Sequence, residues 1–128
     1  MKKSWLVAFA GLLGALPTMV HACGVCDEDK VAATYDHAIV THAAARHRLV
    51  VFGAIDGAHD ARAVGAKIVA AAQHVKGVAR GSVHTSAEPA AFSFVLDPRV
   101  QTPEAAMAEL ERRLGGGDAR LAVIRVLH

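Results

Sequence analysis

Residues 49–55, Leu-Val-Val-Phe-Gly-Ala-Ile, constrain the fold of this 128-residue chain more than any other stretch. The run is too short and too rich in β-branched side chains for a helix, and it has no polar residue to turn toward water. It predicts a strand buried on both faces. Downstream, Asp60 reads as the cap of a helix over about 61–75, whose apolar stripe is Val64, Ile68, Ala71 and Val75. Lys76-Gly77 ends that helix. Residues 78–86 alternate weakly and carry Arg80, Ser82, His84 and Ser86, as a half-exposed or edge strand would. Glu88-Pro89 turns the chain into a more apolar strand over 91–96, so the two predict an antiparallel hairpin closed by Asp97-Pro98.

Thr102-Pro103-Glu104 starts a further helix, with Thr as cap and Pro at the first helical position. Ala106, Leu110 and Leu114 form its stripe, Glu109 stands four residues before Arg113, and Gly115-Gly116-Gly117 stops it. A final strand runs over 121–127. From residue 47 the order is therefore βαββαβ. That order predicts an α+β ferredoxin-like sandwich, a four-stranded antiparallel sheet with two helices on one face. Upstream, Val31, Tyr35, Ala38, Ile39 and His42 share one helical stripe. They predict one extra helix over about 28–45, ended by Arg46-His47-Arg48 and covering an edge or part of the open sheet face. Asp27 reads as its cap, and Glu28 and Asp29 suit a positive helix terminus.

The first residues read as a secretory leader: Lys2 and Lys3, an apolar run over 5–16, Pro17, then Val20-His21-Ala22. Cleavage after Ala22 divides the chain into a leader (1–22), a cysteine segment with the N-terminal helix (23–46) and the ferredoxin-like domain (47–128). A periplasmic or secreted location follows. A lipoprotein anchored through Cys23 ranks second, and an uncleaved anchor third, because a span needs about 20 apolar residues. Removing the two lysines takes the formal charge from +2 to zero. No basic field then remains to attract nucleic acid or an anionic membrane.

Cys23-Gly24-Val25-Cys26 holds the only two cysteines. A bond between them would close a tiny loop and staple nothing distant, so metal or redox chemistry is the sharper reading. Two thiolates at this spacing suit Cu(I) or another soft ion such as Zn(II), although tetrahedral zinc needs two further ligands. The redox alternative rests on a likeness to the Cys-Gly-Pro-Cys of thioredoxins, but that motif follows a strand and none precedes Cys23. A plain surface disulfide is the third reading. His37 shares a helix face with Cys26, yet eleven residues of continuous helix separate them by about 16 Å. His42, on the apolar stripe, is expected in the core.

The order of elements resembles the heavy-metal-associated domains of copper chaperones and metal-transporting ATPases. The residues that carry the likeness are a first strand ending near Gly57, a helix ending in Val75-Lys76-Gly77-Val78, and Thr102-Pro103-Glu104 opening a helix that ends at Leu114-Gly115. The resemblance covers residues 47–128. It implies a metal-binding, non-catalytic domain that hands its ion to a transporter or another acceptor protein. That family places Met-x-Cys-x-x-Cys in the loop after the first strand, where this chain reads Gly57-Ala58-His59-Asp60-Ala61-Arg62-Ala63. Its ligands therefore do not carry over. Cys23 and Cys26 are the leading metal candidates, with His59, in the family's metal loop, and His37 as minor ones. Two further readings stand beside a copper chaperone or buffer. One is a periplasmic thiol–disulfide protein. The other is a binding module whose open sheet face docks a partner or completes a homodimer.

Overall fold

The computed structural model describes residues 26–117 and 119–128. The expected leader, its cleavage site and Cys23 lie outside the described residues.

Eight elements follow one another: α1 (Asp27–Thr34), α2 (His37–Ala45), β1 (Leu49–Asp56), α3 (Ala61–Ala72), β2 (His84–Ala87), β3 (Ala90–Leu96), α4 (Pro103–Leu114) and β4 (Arg120–Leu127). The strands form one antiparallel sheet in the order β2-β3-β1-β4. From β1 onward this is the expected ferredoxin-like βαββαβ arrangement. Asp60 caps α3 by accepting from the Ala63 amide at 3.0 Å, and Thr102 caps α4 by accepting from Ala105 at 3.2 Å.

β1 is buried along its length up to Asp56, and each of its faces meets a different layer. Leu49, Val51 and Ile55 pack with Ile68 of α3, Leu110 of α4 and the phenylalanines of β3. Val50 and Phe52 point the other way and meet Val31, Ala43 and Val95 beneath α1 and α2. Gly53 sits under the ring of Phe92, its register partner, so close that a Cβ there would lie 2.4 Å from the ring's Cζ. The ring of Phe92 stacks in turn on Phe94, with centroids 6.2 Å apart and planes at 14°.

Three expectations are corrected. The single helix over 28–45 is two helices, because Tyr35 and Asp36 adopt extended backbone angles. The Asp36 carboxylate then caps α2 by accepting from the Ile39 amide at 3.1 Å. The break resets the helical phase, so Tyr35 and His42 face solvent while Thr34 and Ala43 are buried. The expected helix over 61–75 ends at Ala72, and Val75 is buried in the turns beyond it. The strand expected over 78–86 is confined to His84–Ala87. Upstream of it Val78 makes one bridge to Leu96, and Ala79 donates to the Val95 carbonyl at 3.0 Å. Gly81 then turns away with φ of 73°. The Ser82 hydroxyl replaces the missing ladder, accepting from the Val95 amide at 3.1 Å and donating to the Ala79 carbonyl at 2.6 Å.

α1 and α2 together cover the sheet face opposite α3 and α4. The face expected to stand open for a partner or a second copy thus carries α1 and α2, packed on Val50, Phe52 and Val95.

Candidate functional site

Cys26 is the N-cap of α1, one residue earlier than the expected Asp27. Its carbonyl accepts from the amides of Asp29 at 3.1 Å and Lys30 at 3.3 Å, which fixes the backbone beneath the sulfur. The side chain is exposed, forms no disulfide among the described residues, and donates its thiol to the Asp29 carboxylate at 3.3 Å. Three carboxylates, Asp27, Glu28 and Asp29, occupy the first turn beside it.

Polar ties seat α1 on the sheet. The Arg125 guanidinium of β4 donates to both carboxylate oxygens of Glu28, one of them at 3.0 Å. This pairing holds the Glu28 carboxyl below the usual glutamate range and raises the Arg125 guanidinium, the hydrogen bond acting before the charge in each case. Lys30 reaches Asp56 at 4.0 Å, and the buried Ser93 hydroxyl of β3 donates to the Thr34 carbonyl at 3.0 Å. α1 thus lies across the sheet with Cys26 at the end nearer Arg125.

The other expected candidates are dispersed. His59 is exposed in the loop between β1 and α3, on the rim of a cavity of about 480 Å³ shared with Lys67, Glu111 and Arg120. Its neighbour Asp60 is engaged as the cap of α3. His37 opens α2, with its Nδ1 3.4 Å from the Tyr35 hydroxyl. The helix break removes the shared face that linked His37 to Cys26. Among the described residues, no group of three or more His, Cys, Asp or Glu side chains stands together as a metal cluster.

Sequence reasoning missed a second cavity, of about 600 Å³, at the opposite end of β1 from His59. It lies between α2 and the turn at 79–82, and Arg46, Arg48 and Arg80 all line it. The available signal was the Arg46-His47-Arg48 run, which reads as a helix stop; Arg80 joins it only through the docking of α2 on the sheet.

No protein-family model matches the chain. No curated protein matches it either. One solved structure does, a copper-binding domain from HMA7, a P-type ATPase, with a TM-score of 0.50 and 17% identity. The match covers 61% of this chain and 96% of that domain. At this identity the likeness establishes the fold: the sheet and its helices are HMA-like and ferredoxin-like.

Proposed function

We propose that the chain is an exported soft-metal carrier or buffer of the copper-chaperone type, with Cys23 and Cys26 as the ligands. The observation that supports it most is the exposed Cys26 thiol, fixed at the start of a helix tied onto an HMA-like sheet. Cargo of this kind needs a site open enough to hand the ion on, and a solvent-exposed N-cap sulfur meets that need.

The donor set favours Cu(I) over Zn(II). Copper(I) accepts two thiolates, whereas a structural zinc site closes with four ligands. Asp29 is the group the sulfur would leave on binding, since its carboxylate accepts the thiol's hydrogen bond. The receiving partner is an acceptor or metal-transporting protein that presents its own thiolates. Cleavage after Ala22 places Cys23 at the mature N-terminus, in the periplasm or outside the cell, and the role is binding rather than catalysis.

The test is Cu(I) titration of anaerobically reduced protein against a coloured chelator. About one ion per chain is expected, as two thiolates supply one site. The Cys23→Ser, Cys26→Ser double variant should lose it. Unchanged stoichiometry in the double variant would sink the reading. Insulin reduction by the wild-type protein without copper binding would assign the pair to disulfide exchange instead.

A further inference from the structure

The cavity beneath α2 combines an apolar and a cationic lining. Its floor is apolar, with Ile39 and Ala43 from α2, Ala79, and Val95 from β3. Its rim is cationic, with Arg46, Arg48 and Arg80. No Asp or Glu lines it. Among the described residues none of the three guanidiniums closes an ion pair. The Asp97 carboxyl is held below its ordinary range chiefly by Arg99, with a smaller part from the charge of Arg48, and Arg99 binds both of its oxygens, at 3.1 and 3.0 Å.

Two of the last carbonyls of α2 are covered by backbone donors: Ala43 accepts from Arg46 at 3.1 Å and Arg48 at 2.9 Å, and Ala44 from His47 at 3.1 Å. The opposite wall is rigid, because Ser82 pins the 79–82 turn to Val95 through both its donor and its acceptor. Arg80 is therefore carried on a fixed backbone, which lowers the ordering cost of binding.

The geometry points to a binding site for a small amphipathic carboxylate, its headgroup held by Arg46 and Arg80 and its hydrocarbon body on the floor of Ile39, Ala43 and Val95. Guanidinium forks match a planar carboxylate in shape as well as charge. The volume suits a small molecule, since ligand pockets span about 300–1,000 Å³. Arg48, half-buried at the back, adds positive field. The site uses neither cysteine and stands apart from the metal reading, so either can fail without the other.

The experiment is calorimetric titration of the purified protein with octanoate, with acetate and octanol as the head-only and tail-only probes. Octanoate should saturate one site, and each control should bind at least about tenfold more weakly, as expected when one of two contributing contacts is missing. Arg46→Ala with Arg80→Ala, both exposed positions, should weaken octanoate about 100-fold, tenfold for each charge-assisted pair removed. Arg112→Ala, exposed on α4, is the charge control and should leave binding intact. An unfolding midpoint unchanged in the double variant confirms that the loss is local. Equal binding of acetate and octanoate, or full octanoate affinity in the double variant, would overturn the site. An acidic peptide that binds more tightly than octanoate would overturn it too, because the groove would then be a protein-docking surface.

Discussion

The two faces of the sheet are built differently. On one, Leu49, Val51 and Ile55 meet Ile68, Phe92, Phe94 and Leu110 in an apolar layer roofed by α3 and α4. On the other, Phe52 is the one large ring, Ala43 and Val31 fill the space around it, and the roof is two short helices. That roof depends on polar ties: Ser93 to Thr34, Arg125 to Glu28, Lys30 to Asp56. The first layer belongs to the βαββαβ domain and is held by large apolar side chains. The second is an appended cover. Cys26 belongs to the cover, and the arginine groove lies between the cover and the 79–82 turn of the domain, so both proposed sites touch the part of the molecule with the weaker hold, where local opening is least costly.

The largest expected effect is on the α3/α4 side. Phe94→Ala removes a fully buried ring stacked on Phe92 and should cost about 3–5 kcal/mol, read as a shift of the urea midpoint for the whole protein. If α1 and α2 melted while the rest held, the assignment of the dominant core to this face would be broken. A smaller and local effect is expected from Ser93→Ala. It deletes the donor to the Thr34 carbonyl and should cost about 1 kcal/mol. Amide exchange should quicken in α1 and α2 and stay unchanged in α3 and α4; uniform quickening would mean that the two faces open as one unit.

The smallest effect is electrostatic. The carboxyl of Glu28 is held below its ordinary 4.5 by Arg125, so its stabilising contribution is present above that value and fades as pH falls through the lower folded one. α1 should loosen in acid across this window, and Glu28→Gln should flatten the step. Asp97 and Glu109 are lowered as well, so the readout is α1 exchange in the two proteins rather than the global acid transition. Identical α1 profiles would remove the ion pair from the list of ties.

Most of the domain was legible in sequence because its signals are local. The apolar run at 49–55, the capping residues Asp60 and Thr102, and the Glu109–Arg113 pair each act within a few residues, and each is realised. The break at Tyr35–Asp36 was not legible, since Asp36 serves equally well on the polar side of a long helix and as the cap of a new one. Docking decides between them, because only the broken form lays Val31 and Ala43 on one sheet face. The short β2 was hidden for a related reason: Ser82 reads as an outward strand residue, yet its hydroxyl takes over the role of a ladder carbonyl. Of the site, Cys26 was read from its spacing to Cys23. The groove was not, because Arg46 and Arg80 meet only through the tertiary seat of α2.

The Glu28–Arg125 tie joins residues 97 apart in sequence, and this separation dictates an order of assembly. β1 lies between β3 and β4, so the sheet is incomplete until the C-terminal strand has been synthesised. α1, the first described element in the chain, has its complete seat, which includes Arg125 of β4, only once that strand has joined the sheet. Contacts that close such long loops form late and slowly. The thiol-bearing helix thus precedes in sequence every strand that it rests on, and its seat is among the last contacts to close.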